Sequence, residues 1–270
     1  MKKTTKLTTV IATALAAALA LAGCAAASDA PANTLGTITG GTLRVGTLTD
    51  TKPYAYVENG VTKGFDVEML EEVAKRLDLK VEFVTQEFSA LLPSVSNGLL
   101  DIATASISNT EERRKIVDFS DTYFIGYISV IASKTGGVTE DPASLKGKRL
   151  GLIQGTIQDG YAQANFGADI VRFPDNNAAI AALKSGTIDA HFLDYPVAQD
   201  YADKDANLSI PISVAVPEYP VGFAISKKNK ALTKAVNDQI KALIDDGTWL
   251  KIETKYFPEQ PVDDMFKPEA

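Results

Sequence analysis

One arginine stands among small hydroxyl residues in the segment SISNTEER, residues 106–113. The S-x-x-E pattern that starts at Ser108 predicts a helix here, and Asn109 offers a second N-cap register. The first turn of a helix favours acids, whereas Arg113 beside free backbone N–H groups would attract an anion such as a carboxylate. The same arginine could instead lie in solvent on a capped helix, and this segment alone leaves both interpretations open.

Residue counts argue against several kinds of reactive site. The chain has one histidine, His191, and one cysteine, Cys24. With so few, we expect no Ser-His-Asp or Cys-His site and no zinc site. His191 lies in the strand motif IDAHFLD, where a structural role is expected. Neither a GxxxxGK[ST] nor a GxGxxG motif occurs, so nucleotide binding has no support. Counting leaves carboxylate metal sites open, but the acidic stretch DKDAN at residues 203–207 lacks the ligand spacing of a calcium loop. No cofactor and no metal are therefore expected.

The N-terminal segment has the features of a cleaved leader. Lys2, Lys3 and Lys6 precede an apolar run that ends in the residues LAGC at positions 21–24. This pattern predicts a signal peptide over residues 1–23 and a lipobox, with lipid attached to the sulfur of Cys24. Residues 24–40 are small, polar and without periodicity, which predicts a lipidated flexible tether.

The charge balance is acidic. There are 27 basic and 34 acidic residues, a net charge of −7, and removal of residues 1–23 takes away three lysines and no acids, which gives −10. Such a balance argues against nucleic acid as a partner. Hydrophobic residues make up 45% of the chain, which is enough for one large core or two modest ones.

Two segments in the same order repeat a helix, a glycine, an acid and a buried strand. The first is ALLPSVSNGLLDIATA at residues 90–105, and the second is AAIAALKSGTIDAHFL at residues 178–193. Each follows a strand, GTLRVGTL at 41–48 and GKRLGLI at 147–153. Repeated strand–helix–strand units predict two α/β lobes with mostly parallel sheets, and ligands of such sheets lie at the carboxyl ends of the strands. Here those ends are SISNTEER and LDYP.

Residues from Gly41 to about Phe257 resemble the family-3 extracellular solute-binding proteins, the receptors of polar amino acid ABC importers. The matching stretches are GFDVEML, LLPSVSNGLLDIATASISNTEERRKIVDFSDTYF, LKGKRLGLIQGTIQ, LKSGTIDAHFLD and DDGTWLKIETKYF. The resemblance implies a two-lobed periplasmic-binding-protein-like fold joined by two hinge strands near Gly126 and Gly222. Lobe 1 would comprise residues 41–126 and 223–270, and lobe 2 residues 127–222.

The resemblance also implies roles for individual residues. Arg113 falls on the carboxylate-binding arginine and Asp194 on the ammonium-binding aspartate. The other implied ligand-binding positions are Ser106, Ser108, Thr110, Phe88, Thr156, Ile157 and Gln158. Thr51 stands where many relatives stack an aromatic ring, for which Tyr54 or Tyr56 could substitute.

The identity of the ligand depends on the first loop. Leu48 stands where relatives that bind basic amino acids tend to carry an acid, which argues against a basic ligand. Because Asp50 is nearby, a basic amino acid stays an alternative. Lys52 could pair with an acidic ligand side chain. A polar, uncharged amino acid is therefore expected, with glutamate or aspartate next.

The expected function is that of a monomeric, lipid-anchored receptor on the extracytoplasmic face of the cell membrane. It would capture a free amino acid and deliver it to an ABC permease without catalysing a reaction. Two alternatives stay open. The architecture also resembles secreted dehydratases that act on cyclic carboxylic acids, and a lipoprotein of this kind could bind an amino acid only to signal.

Overall fold

The structure is a computed structural model that describes residues 33–215 and 220–267. The predicted signal peptide, the lipobox with Cys24 and the tether up to residue 32 lie outside the described residues. Within the described ranges, no helix is both long and apolar enough to cross a bilayer.

Two five-stranded sheets organise the fold, and each carries helices supplied by the chain between its strands. The first part of the chain forms β1 (Thr42–Thr47), β2 (Asp50–Thr51), β3 (Ala55–Glu58), β4 (Val61–Lys63), α1 (Phe65–Arg76), β5 (Lys80–Thr85), α2 (Phe88–Ser96), β6 (Ile102–Ala103), α3 (Glu111–Arg114) and β7 (Asp118–Phe119). The middle part forms β8 (Tyr127–Ser133), β9 (Arg149–Ile153), α4 (Ile157–Asn165), β10 (Asp169–Phe173), α5 (Asn176–Lys184), β11 (Ala190–Asp194), α6 (Tyr195–Lys204) and β12 (Leu208–Ala215). The chain then returns through β13 (Ala224–Ile225), α7 (Lys230–Asp245) and α8 (Thr248–Tyr256).

The strand orders define two lobes. In lobe 1 the order is β5-β1-β6-β13-β7, and in lobe 2 it is β10-β9-β11-β8-β12. The small sheet β2-β3-β4 follows β1 in lobe 1. The chain passes between the lobes twice, after β7 and after β12, and the two connections lie side by side, because Tyr127 pairs with Ala215 and Phe124 with Val221. This is the predicted two-lobed periplasmic-binding-protein-like fold.

The sheets are half parallel, whereas mostly parallel sheets were predicted. In each lobe the two pairings joined by helical crossovers are parallel, β5-β1-β6 and β10-β9-β11. The pairings of β13 with β6 and β7, and of β8 with β11 and β12, are antiparallel. Both β8 and β13 enter their sheets from the connections between lobes. No helical crossover therefore fixes their direction.

Helix α1 shows how the sequence forms one lobe. Its buried face includes Val67, Leu70, Val73 and Ala74, as the 3.6-residue periodicity predicts. Gly64 precedes the helix with a φ of +136°, and a Cβ there would lie 2.0 Å from the Tyr54 carbonyl oxygen. Only glycine allows this close approach, which packs the start of α1 against the turn between β2 and β3.

The core of lobe 1 also receives the returning chain. Trp249 of α8 is 1% exposed, and its indole N–H donates to the Tyr123 carbonyl oxygen at 2.8 Å. Its ring stacks on Phe266 with the centroids 4.6 Å apart. The predicted core role of Trp249 is therefore confirmed, and the C-terminal helices complete the first lobe.

The fold begins earlier than the predicted end of the tether at residue 40. Asn229 donates to the carbonyl oxygens of Leu35 and Gly36, at 2.9 and 3.0 Å. Ile38 N–H donates to Asp101 Oδ1 at 2.8 Å. A segment of small polar residues gave no periodic signal, and its order comes from these contacts with distant side chains.

Candidate ligand-binding site

A cavity lined by residues of both lobes lies between them. It adjoins the carboxyl ends of parallel strands in both sheets, which is where ligands of α/β sheets bind. The lining residues from lobe 1 are Leu48, Thr51, Phe88, Ala105, Ser106, Ser108 and Arg113. Those from lobe 2 are Ile153, Thr156, Ile157, Gln158, Asn176, Phe192, Leu193, Asp194 and Val197. Nine of the ten positions expected to bind ligand are in this lining, and the exception is Thr110.

Arg113 is a buried cation at the wall of this cavity. It is 8% exposed, and its guanidinium donates to the Ser108 carbonyl oxygen at 2.9 Å and to the Gly155 carbonyl oxygen at 3.0 Å. The guanidinium also lies 5.1 Å from the centre of the Phe88 ring, which favours a cation–π contact. Among the described residues, none of the ion pairs includes Arg113.

Burial lowers the pKa of Arg113 to about 10, so the side chain keeps its charge at neutral pH. A buried charge is costly unless an opposite charge and hydrogen bonds compensate it. Here two carbonyl oxygens satisfy part of a guanidinium that has five N–H donors. The remaining donors make this part of the cavity suited to a carboxylate.

Helix α3 is a single turn, and its N-cap differs from the two predicted ones. Thr110 is the cap, because its hydroxyl accepts a hydrogen bond from the Arg113 backbone N–H at 3.2 Å. Ser108 instead pairs as an isolated bridge with Val221. It lies three residues before Glu111, the first residue of the helix, and therefore does not cap it. Thr110 acts on the site indirectly, since it fixes the turn that carries Arg113.

Asp194 is the carboxylate of the cavity and comes from lobe 2, at the end of β11. Its Oδ1 accepts a hydrogen bond from the Gln158 side-chain amide at 2.6 Å. Burial raises the pKa of Asp194 to about 6, against the lowering effects of hydrogen bonds from Gln158 and Ser106 and of the positive charge of Arg113. A cation in the cavity would compensate this partly buried carboxylate and lower its pKa.

Ser106 is held in an unusual conformation by a residue that sequence analysis did not assign to the site. Its φ is +48°, which is uncommon for a residue other than glycine. Its backbone N–H donates to Oδ2 of Asp66 at 2.7 Å, and the Thr104 hydroxyl donates to the same oxygen at 3.0 Å. Asp66 is fully buried, and burial raises its pKa to about 6. The sequence pattern predicts Asp66 as the N-cap of α1, but the structure places it inside the first turn, with Gly64 as the cap. Its contact with Ser106 could not be predicted from that pattern.

Polar contacts join the lobes beside the cavity. Oδ2 of Asp50 accepts hydrogen bonds from the backbone N–H groups of Asn176 and Asn177, at 2.7 and 3.1 Å. These groups begin helix α5, where the helix dipole favours an anion. Lys52 pairs with Asp200 of α6 at 3.4 Å. Asp50 and Lys52 therefore contact lobe 2, and neither is in the lining of the cavity.

The tyrosines considered as stacking residues lie elsewhere. Tyr54 is fully buried in lobe 1, with its ring 5.5 Å from those of Phe124 and Phe257. Tyr56 lies on β3 beneath the ammonium group of Lys52, 5.5 Å away. Thr51 is in the cavity wall, and its hydroxyl donates to the Ala55 carbonyl oxygen at 3.0 Å. Phe88 and Phe192 are thus the aromatic rings of the lining.

Comparisons with known proteins give a consistent result. The family model of bacterial extracellular solute-binding proteins, family 3, matches residues 43–259. The lysine/arginine/ornithine-binding periplasmic protein of Escherichia coli (strain K12) is 30% identical over 233 residues, which cover 80% of this chain and 87% of that protein.

Two solved structures are similar over most of their length. An ancestral arginine-binding protein bound to glutamine has a TM-score of 0.77 and 33% identity, and the match covers 82% of this chain and 100% of that one. An ancestral amino acid-binding protein, described as a precursor of cyclohexadienyl dehydratase, has a TM-score of 0.72 and 33% identity, with coverage of 80% and 95%.

Proposed function

The chain belongs to family 3 of the bacterial extracellular solute-binding proteins, and we propose that it captures a free amino acid between its lobes. The observation that carries this proposal is a pair of opposite charges, of which Arg113 is buried and Asp194 partly buried. Arg113 reaches the cavity from lobe 1 and Asp194 from lobe 2. An amino acid has one carboxylate and one ammonium group, so it complements both charges at once.

The contacts at the carboxylate end follow from the donors around Arg113. A planar guanidinium can hold a carboxylate with paired hydrogen bonds, and Ser108 adds a hydroxyl residue to the same lining. At the ammonium end, Asp194 accepts a hydrogen bond from Gln158 through Oδ1. The ligand ammonium group would join Gln158 and Ser106 as a third hydrogen-bond donor to this carboxylate. Exclusion of water from the cavity strengthens each of these contacts.

For the side chain of the ligand, we propose a polar, uncharged amino acid. Most of the remaining lining is apolar, with Thr51 and Asn176 as polar groups. Among the described lining residues, Asp194 is the only carboxylate, so a basic side chain would have no counter-charge once the ammonium group holds Asp194. Basic amino acids are the main alternative, because a relative named above binds lysine, arginine and ornithine.

The protein would work at the membrane, as a monomer that delivers its ligand to an ABC permease. The lipobox predicted at Cys24 supports a lipid anchor on the extracytoplasmic face. Closure of the lobes around the ligand would create the shape that the permease recognises.

A second candidate function is that of a dehydratase on a cyclic carboxylic acid. The similarity to a precursor of cyclohexadienyl dehydratase favours it. So does Asp194, since burial raises its pKa to about 6 and a carboxyl group in that range can act as a general acid. The hydrogen bond from Gln158 stabilises the ionised form instead, which agrees better with a group that binds ammonium.

The test is equilibrium binding of the purified protein to each of the common amino acids, with a parallel assay for product from cyclohexadienyl acids. Saturable binding of one or a few amino acids without product supports the receptor function. Product formation would favour the enzyme. Uptake of the bound amino acid should also fall in a strain that lacks this protein, and unchanged uptake would favour a purely sensory role.

A further inference from the structure

The only histidine of the chain lies directly behind a polar residue of the cavity wall. His191 is fully buried on β11, and its Nδ1 is 3.0 Å from the carbonyl oxygen of Gly151 on β9. Its Nε2 is 3.0 Å from Oδ1 of Asn176, the first residue of α5. Asn176 is 4% exposed and lines the cavity. A chain of hydrogen bonds therefore runs from the sheet of lobe 2 to the ligand space.

The first contact fixes the tautomer of the ring. A carbonyl oxygen only accepts hydrogen bonds, so Nδ1 of His191 must carry the proton. Burial lowers the pKa of His191 to about 4, so the ring is neutral at pH 7. A neutral ring with a proton on Nδ1 has a free electron pair on Nε2. Nε2 is therefore an acceptor and requires a donor opposite it.

The second contact then fixes the amide of Asn176. With Oδ1 opposite Nε2, two acceptors would face each other at 3.0 Å. A half-turn of the amide places its NH₂ group there and makes an N–H···N hydrogen bond, and the hydrogen-bond network is what decides such orientations. The carbonyl oxygen of the amide then faces the cavity. The backbone of Asn176 is fixed as well, since its N–H donates to Asp50 at 2.7 Å.

We propose that His191 holds Asn176 with its side-chain carbonyl oxygen towards the cavity, which makes Asn176 a residue that selects for ligand side chains ending in a hydrogen-bond donor. This inference rests on the proposed function, because it assumes an amino acid in the cavity. An amide side chain such as that of glutamine donates to this oxygen. The carboxylate of glutamate, of nearly the same shape, has only acceptors to offer and is repelled.

The tautomer is measured directly by a long-range ¹H–¹⁵N correlation spectrum of the protein labelled with ¹⁵N-histidine. One histidine gives one pair of ring signals, so assignment is unambiguous. We expect a protonated Nδ1 and an unprotonated Nε2 at pH 7. A proton on Nε2, or on both nitrogens, would overturn the inference, since Oδ1 could then accept from the ring.

Calorimetric titration with glutamine and glutamate tests the consequence. We expect glutamine to bind at least about 100-fold more tightly than glutamate, because a site that hydrogen bonds one group rejects an analogue that leaves it unpaired. Asn176→Leu should reduce this ratio to less than about tenfold. Asn177→Leu is the matched control, since Asn177 is the next residue and is exposed outside the cavity.

The outcomes separate the inference from the function on which it rests. Glutamate binding as tightly as glutamine, or an unchanged ratio in Asn176→Leu, would overturn the inference alone. So would binding only of amino acids whose side chains end without a hydrogen-bond donor. Failure to bind any amino acid would overturn the proposed function together with the inference.

Discussion

The guanidinium of Arg113 in lobe 1 donates a hydrogen bond to the carbonyl oxygen of Gly155 in lobe 2, across 3.0 Å. Gly155 lies in the turn before α4 and has a φ of +81°. The residue proposed to bind the ligand carboxylate thus also joins the two lobes. If Arg113 binds the ligand carboxylate as proposed, this one side chain couples ligand binding to closure, because both depend on the position of the same charge.

Loss of this charge should weaken ligand binding strongly. We expect Arg113→Ala to cost about 2–5 kcal/mol of binding free energy, since the ligand carboxylate would stay buried without its partner. Arg114→Ala is the matched control, because Arg114 is exposed and its guanidinium bonds only to Asn109. Calorimetry on both variants measures the difference. Equal affinities in the two variants would remove Arg113 from the site.

The contact of Asp50 with the start of α5 should favour the closed state. We expect Asp50→Asn to weaken ligand binding by about 1–2 kcal/mol, because the helix N-terminus loses an anion in a partly buried place. The melting temperature without ligand should change little.

Glu58→Gln is the control for Asp50, since Glu58 is an exposed acid on the neighbouring hairpin and pairs with Lys63. Small-angle scattering of Asp50→Asn should show a larger radius of gyration at subsaturating ligand. A variant as compact and as tight-binding as the control would show that this contact does not contribute to closure.

Ligand binding should release protons from Asp194. Without ligand its pKa is raised to about 6, and a bound ammonium group lowers it. At pH 6 we therefore expect release of about half a proton per ligand, and at pH 8 almost none. Affinity should fall as the pH drops below about 6. Titrations in two buffers with different ionisation enthalpies measure the release, and its absence at pH 6 would argue against an ammonium group at Asp194.

Asp66 should make stability depend on pH in a defined direction. Its pKa is about 6 in the folded protein, above the ordinary value of 3.8. Between these values the folded state binds more protons than the unfolded state. The free energy of unfolding therefore falls as the pH rises from about 4 to about 6, and the contribution is constant above. Asp66→Asn should lack this fall, of about 1–3 kcal/mol. Identical pH profiles would contradict the assignment.

The same residue should affect ligand binding through Ser106. Asp66→Asn keeps an oxygen that can accept from the Ser106 N–H, whereas Asp66→Ala does not. We expect the alanine variant to bind ligand at least about tenfold more weakly, as the positive φ of Ser106 is no longer supported. The asparagine variant should bind normally. Equal affinities in both variants would mean that Asp66 has only a structural role.

The sequence predicts most of the fold, for reasons that specific elements show. Helix α1 and the repeated helix–strand segments have clear periodicity, and the resemblance orders them into two lobes. The antiparallel direction of β8 and β13 was not predicted, because it depends on the connections between lobes. The order of residues 33–40 likewise depends on contacts with Asp101 and Asn229, far away in the chain.

The candidate site was likewise predicted only in part. Arg113 and Asp194 could be placed because their motifs match a family pattern. The partners that support the site could not, since Asp66 has the pattern of a helix cap and His191 that of an ordinary strand residue. Asp66 contacts Ser106, and His191 contacts Asn176. The two residues of each pair come together only in the folded protein. Asp50 was considered as a partner for a basic ligand, but in the structure it accepts hydrogen bonds from two backbone N–H groups of lobe 2.

The measurement that tests the central claim most directly pairs changes in the ligand with changes in the protein. Calorimetry would use three ligands: the amino acid that binds most tightly, its α-carboxamide, and its analogue without the α-amino group. Each would be titrated into the wild type, Arg113→Ala and Asp194→Asn. The claim predicts coupling of about 1.5 kcal/mol or more between Arg113 and the carboxylate, and between Asp194 and the ammonium group. The claim would be contradicted if the losses of binding free energy from changing the ligand group and from changing the residue simply added, for both pairs. Neither charge would then contact its proposed partner.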